Sequence, residues 1–87
     1  MIKEKQQLPK WFNGELYEEG ETVQNRFSGE EYELNNVELS MYDFIIGTQL
    51  VFEMSPNLAT KGMVDDFQKG LDWFREHNAK AYMVLLD

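Results

Sequence analysis

The stretch that most constrains the fold is Asn36–Met54, NVELSMYDFIIGTQLVFEM, the longest apolar-rich segment of the chain. Its length and the spacing of its apolar residues predict an α-helix. Asn35 is a favourable N-cap, and Asn35 together with Glu38 has the spacing of a capping box. The pair Ser55-Pro56 then ends this helix or opens the next one.

This central helix is predicted to be apolar on two sides. One side carries six apolar residues, namely Val37, Met41, Phe44, Ile45, Val51 and Phe52. The second carries four, with Asp43 among them: Leu39, Ile46, Leu50 and Met54. The polar stripe between them consists of Glu38, Gln49 and Glu53, with Tyr42 inside it. A helix that is apolar nearly all round is usually buried, and two apolar sides exceed what a small monomer needs. We therefore expect a homodimer or a protein partner.

Gly47 interrupts the middle of this helix, where glycine costs about 1 kcal/mol relative to alanine. One explanation is that another backbone packs closely against it. The other is a kink or a binding notch. The sequence leaves both open.

The length of 87 residues predicts one domain, residues 1–87, with residues 1–10 as a flexible basic arm. The chain has no cysteine, which removes disulfides and thiolate chemistry and fits a reducing compartment. It shows neither the apolar core of a signal peptide nor a long uninterrupted apolar stretch. We expect a soluble cytoplasmic protein with no membrane association.

The net charge of −8 is unevenly distributed along the chain. Residues 15–38 hold eight glutamates and one arginine, whereas residues 1–14 are basic. Direct binding of nucleic acid is not expected, because neutralising phosphates requires lysine and arginine.

Two large aromatic residues, Trp11 and Phe12, lie between Pro9 and a turn signal at Gly14. They form either an arm that packs into the core or an aromatic anchor for a partner, since such residues dominate binding energies.

Residues 15–34 have the alternation of a β-hairpin or a three-stranded meander. A first strand at 15–18 is followed by a turn, and a strand at 22–27 places Val23 and Phe27 on one side. A tight turn at Ser28-Gly29 leads to a strand in which Glu31 and Glu33 face outward. The acidic face that results is either simply solvated or recognises a partner.

The C-terminal part predicts a helix from about residue 60 to residue 77. Val64, Phe67, Leu71 and Phe74 form its amphipathic stripe. Trp73 departs from this stripe and is either covered by the C-terminal segment or an exposed contact residue.

Periodicity does not decide between helix and strand for residues 79–86. We favour a short helix capped by Asn78, because alanine, methionine and leucine favour helices.

The fold class that follows is α+β: an N-terminal hairpin or meander packed on a central buried helix, with one or two C-terminal helices. An all-α bundle with an irregular acidic arm is the alternative.

No constellation predicts an enzyme, a metal site or a cofactor. His77 is the single histidine, and no nucleophile or orienting acid is placed beside it. The glycines match no phosphate-binding pattern, and the aspartates at 65, 66 and 72 match no calcium loop.

Five blocks from Leu8 onward carry a resemblance. They are Leu8-Pro9-Lys10-Trp11-Phe12, Asn25-Arg26-Phe27-Ser28-Gly29, Glu38-Leu39-Ser40-Met41-Tyr42-Asp43-Phe44-Ile45, Gly70-Leu71-Asp72-Trp73-Phe74 and Ala81-Tyr82-Met83-Val84-Leu85-Leu86-Asp87. Together they resemble a family of small proteins from large tailed phages that infect marine cyanobacteria. The resemblance implies a setting, the cytoplasm of an infected bacterium, and carries over neither an activity nor catalytic residues.

Two functions of different class follow. The first is an interaction module that binds a host or phage protein through aromatic anchors (Trp11, Phe12, Trp73) or through the acidic hairpin face (Glu31, Glu33). A variant of it is mimicry of nucleic-acid charge. The second is a structural phage component that works by self-association.

Overall fold

The computed structural model describes residues 7–12 and 14–86. An antiparallel hairpin precedes three helices, which confirms the predicted α+β class. The elements are β1 (Glu21–Gln24), β2 (Glu31–Leu34), α1 (Asn36–Met54), a 3₁₀ turn (Pro56–Leu58), α2 (Lys61–His77) and α3 (Ala79–Leu85).

The hairpin places its apolar residues on one face and its outward glutamates on the other. Val23 pairs with Tyr32 on the inner face, and Glu33 pairs with Thr22 on the outer face. Residues 15–18 form no strand, so within the described residues the hairpin is confirmed and the meander is wrong.

The turn between the strands begins earlier than predicted. Asn25 Oδ1 accepts hydrogen bonds from the backbone N–H groups of Phe27 (2.7 Å) and Ser28 (3.1 Å), and Gly29 adopts a positive φ of 80°. A side chain that bonds its own backbone two residues on competes with the strand ladder. Phe27 therefore lies in the turn and not beside Val23, and 88% of it is exposed.

The capping box predicted for α1 is present. Glu38 N donates to Asn35 Oδ1 at 2.8 Å, and Asn35 N donates to Glu38 Oε1 at 3.0 Å. This reciprocal pair satisfies backbone donors that a helix start otherwise leaves unpaired. It explains why α1 begins at the predicted residue.

Burial of α1 is confined to its first half. The six buried residues are Glu38, Leu39, Ser40, Met41, Tyr42 and Ile45. In the second half Leu50 and Val51 are exposed, and Met54 is 81% exposed. The predicted burial of the central helix therefore holds for its first half and not for its second half. Glu38 is also misplaced by the helical projection, since it is buried and not part of an exposed polar stripe.

The close approach between helices occurs at Gly70 of α2 and not at Gly47 of α1. A Cβ atom on Gly70 would lie 3.3 Å from both Met41 Sδ and Ile45 Cγ1. A Cβ atom on Gly47 would meet none of the described residues within 4 Å. Close packing by another described segment therefore does not explain Gly47, and a kink or binding notch stays a prediction.

Side-chain caps open both C-terminal helices, and the cap of α3 is the predicted one. Met63 N donates to Thr60 Oγ1 at 3.1 Å at the start of α2, and Ala81 N donates to Asn78 Oδ1 at 3.1 Å at the start of α3. The short C-terminal helix is thereby confirmed. The stripe of α2 is buried at Phe74 but exposed at Val64.

The core lies where the hairpin, the first half of α1, the second half of α2 and α3 meet. Its most deeply buried apolar side chains are Leu34, Met41, Ile45, Phe74 and Ala81. Among the described residues, no helix combines the length and apolar character needed to cross a membrane.

Candidate interaction surfaces

The loop before the hairpin is fixed to the buried half of α1 by three hydrogen bonds at Tyr17. Tyr17 N donates to Ser40 Oγ at 2.9 Å, and Asn36 Nδ2 donates to Tyr17 O at 3.2 Å. The Tyr17 hydroxyl donates to Asp43 Oδ2 at 2.6 Å. An irregular loop is thus held in one position across α1.

A groove of about 710 Å³ lies between this loop and α1. We call it the acidic groove; its lining residues are Glu15, Leu16, Tyr17, Glu18, Glu19, Gly20, Glu21, Leu39 and Asp43. Five of these side chains are carboxylates, and none of the described lining residues is basic. Leu16 is 57% exposed, so the groove offers an apolar contact beside its negative charge.

The negative charge of the acidic groove acts on Tyr17. The hydrogen bond to Asp43, followed by the negative charges of Asp43, Glu15 and Glu21, raises the pKa of the Tyr17 hydroxyl above its ordinary value. Both effects favour the neutral, proton-donating form of tyrosine.

The two outward glutamates of the hairpin, Glu31 and Glu33, are exposed as predicted. Their cross-strand neighbours are Gln24 and Thr22, and neither glutamate forms an ion pair with a described residue. Neither lines the acidic groove. They extend the negative surface around the hairpin, and their role in partner binding stays a prediction.

Trp11 and Phe12 pack on one residue of α1. Their ring centroids lie 5.7 Å and 5.6 Å from that of Phe44, and both residues are partly buried against the core. Within the described residues, the arm therefore packs on the domain from Gln7 onward. Residues 1–6 of the predicted flexible arm lie outside the described residues. The use of Trp11 and Phe12 as partner contacts stays a prediction.

Trp73 is not an exposed contact residue. It is 8% exposed, its ring stacks on that of His77 at 4.3 Å, and its Nε1 donates to Gln7 O at 3.2 Å. Of the two possibilities that the sequence left open, the structure has the covered one. The N-terminal arm contributes to that cover, whereas the sequence had suggested the C-terminal segment.

Sequence reasoning missed the most exposed aromatic residue, Phe27. The predicted strand at 22–27 placed Phe27 beside Val23 on the apolar face of the hairpin, so Phe27 was not recognised as exposed. The signal for its position is the pair Asn25 and Gly29, four residues apart. Asn25 starts an Asx-type turn and Gly29 adopts a positive φ, so Phe27 lies between them in the turn.

The described residues give no support for a metal site. The described residues contain no group of three or more histidine, cysteine, aspartate or glutamate side chains placed to hold a metal ion.

Comparison of the chain with protein-family models, with curated proteins and with solved structures finds no match. The resemblance to phage proteins therefore stays a prediction.

Proposed function

We propose that the chain is a small cytoplasmic protein-interaction module, not an enzyme, which binds a basic segment of a phage or host protein in the acidic groove. The observation that supports this proposal is a groove lined by five carboxylates, without a described basic residue, that also exposes Leu16.

The chemistry of the groove selects its partner. Uncompensated carboxylates attract lysine and arginine side chains, and the attraction accelerates association most at low salt. An apolar side chain beside the basic residues would gain contact with Leu16 and Leu39. The partner segment that fits is therefore basic with interspersed apolar residues.

A peptide of alternating lysine and leucine is a suitable probe. We expect it to bind the wild-type chain with an affinity that falls as salt rises. Replacing two groove residues, Glu18→Gln with Glu21→Gln, should weaken binding more than replacing two exposed carboxylates of α2, Asp65→Asn with Glu76→Gln.

The second pair is the matched control, since it changes the net charge by the same amount. Equal loss of affinity in the two double variants would mean that the peptide responds only to net charge, and the proposed site would be wrong.

A structural component that works by self-association is the second candidate. It is favoured by the large hydrophobic side chains that remain exposed, Phe27 above all. Phe27 is 88% exposed, and aromatic side chains are enriched at protein interfaces. Sedimentation at several concentrations, combined with the basic-peptide titration, separates the two candidates: a stable dimer that does not bind the peptide favours self-association.

A further inference from the structure

Two grooves with mixed apolar and polar linings follow α1, and neither shares a lining residue with the acidic groove. One groove, of about 90 Å³, lies between the hairpin turn and the Tyr42, Ile46 and Gln49 side chains of α1. A second groove, of about 370 Å³, lies further along α1. The two grooves share Gln49 and Leu86 as lining residues, so they form one surface. We call it the helix trough; on α1 it extends from Tyr42 to Glu53.

One end of the helix trough is a fixed projection. Phe27 stands 88% exposed at the hairpin turn, and the Arg26 guanidinium lies 5.4 Å from the centre of its ring. Asn25 holds this turn from two directions: its Oδ1 accepts from Phe27 N at 2.7 Å, and its Nδ2 donates to Val84 O of α3 at 2.8 Å. Phe27 is therefore presented by an anchored turn.

The other end of the helix trough is concave and aromatic. Phe52 of α1 and Phe67 of α2 meet edge to face, with ring centroids 5.5 Å apart. Leu71 and Tyr82 complete an apolar lining, and Glu53 supplies the charge at this end. A groove of about 370 Å³ has room for an aromatic side chain.

Charge distinguishes the helix trough from the rest of the molecule. Arg26 and Glu53 are the charged residues among its described lining, one at each end, in a chain whose net charge is −8. Two copies meeting at the acidic groove would oppose like charges. Two copies meeting at the helix trough would not.

We propose that the helix trough binds a second copy of this chain face to face. A two-fold axis passing near Gln49 would reverse one trough relative to the other. Phe27 of each copy would then enter the groove beside Phe52 and Phe67 of its partner, and Arg26 of each would face Glu53 of the other. In such an isologous interface, the projection and the groove occur twice and satisfy each other. This inference gives the self-association candidate a geometry and does not depend on the acidic groove.

Sedimentation equilibrium of the full chain over a range of concentrations tests the proposal. We expect a reversible wild-type dimer. Phe27→Ala should raise the dimer dissociation constant by about tenfold or more, because truncating a central interface aromatic is typically that costly. Leu16→Ala removes another exposed apolar side chain, outside the helix trough, and should leave the dimer unchanged. Both residues are exposed, so neither change should unfold the chain, and circular dichroism verifies this.

Charge reversal tests the proposed pairing directly. Arg26→Glu and Glu53→Arg should each weaken the dimer, because each places like charges together. An equimolar mixture of the two variants should form a heterodimer, since both cross-pairs are then of opposite charge, and the double variant should dimerise like the wild type.

Three outcomes would overturn the proposal: a wild-type chain that stays monomeric up to about 1 mM, an undiminished Phe27→Ala dimer, or single variants that do not rescue each other. Binding of the basic peptide by Phe27→Ala reports on the acidic groove separately.

Discussion

The carboxylate of Glu38 joins the start of α1 to the junction of α2 and α3, because its Oε2 accepts a hydrogen bond from Asn78 Nδ2 at 3.0 Å. Its other oxygen accepts from Asn35 N at 3.0 Å. Asn78 in turn caps α3 through Ala81 N. One buried carboxylate, 6% exposed, thus ties together two helix starts that are 40 or more residues apart.

Replacing this carboxylate by an amide should destabilise the domain. In Glu38→Gln an NH₂ group replaces one of the two accepting oxygens. Either Asn35 N or Asn78 Nδ2 then faces another donor and loses its acceptor. Leaving a buried donor without its acceptor costs about 1–3 kcal/mol. Urea unfolding measures the change in the free energy of unfolding. The exposed Glu76→Gln is the control and should change it by less than about 0.5 kcal/mol. Equal stability of the two variants would show that the Glu38–Asn78 contact contributes nothing.

The two helical glycines should respond oppositely to added side chains. Gly47→Ala adds a methyl group in open space on an exposed helix face and should stabilise the monomer by about 0.5–1 kcal/mol. Gly70→Val should destabilise it by about 1–3 kcal/mol, because its side chain would overpack against Met41 and Ile45. Thermal unfolding at low protein concentration measures both. A destabilised Gly47→Ala monomer would mean that this helix face is covered from within the chain.

The two tryptophans should differ in stability and in fluorescence. Trp73→Phe loses the hydrogen bond to Gln7 O and part of a buried ring, and should cost about 1–3 kcal/mol. Trp11→Phe, at a partly buried position on Phe44, should cost less.

Iodide quenching provides an independent measurement. In Trp11→Phe the remaining tryptophan is Trp73, which is buried and should be shielded from iodide. In Trp73→Phe the remaining tryptophan is Trp11, which is only partly buried and should be more accessible. The reverse order would contradict the burial of Trp73 beneath the N-terminal arm.

Local signals in the sequence were enough to predict most of the fold. The α1 boundaries follow from the Asn35–Glu38 box and from Pro56, which act within a few residues. The same holds for the Asn78 cap of α3. Hydrogen bonds of this kind depend on neighbours in the chain, so that a single sequence contains the information needed to infer them.

The misplaced turn at Phe27 is a local failure, because the Asn25 side chain bonds the backbone two and three residues on. Three other failures concern contacts between distant segments. Periodicity places Glu38 on a polar stripe, but a partner 40 residues away makes its burial possible. The burial of Trp73 depends on Gln7, which no helical projection includes. The sequence predicted the negative charge of the acidic groove but not its shape, because the shape depends on hydrogen bonds from Tyr17 to Ser40 and Asp43.

The hydrogen bond between Tyr17 and Asp43 should be visible in the alkaline titration of the protein. Hydrogen bonding to the Asp43 carboxylate raises the pKa of Tyr17, so its folded-state value exceeds the unfolded value of about 10. The stabilisation from this bond is therefore fully present below pH 10 or so and is lost as pH rises through the folded-state pKa. Absorbance at the tyrosinate band follows the ionisation directly.

Tyr17→Phe should remove one late-titrating group from the curve, and Asp43→Asn should shift that group to lower pH, since the amide carries no negative charge. Replacing Glu76 by glutamine changes the net charge equally at a distant site and should leave the Tyr17 ionisation in place. If the Asp43→Asn and Glu76→Gln curves coincide, general negative charge and not the 2.6 Å hydrogen bond determines the ionisation of Tyr17.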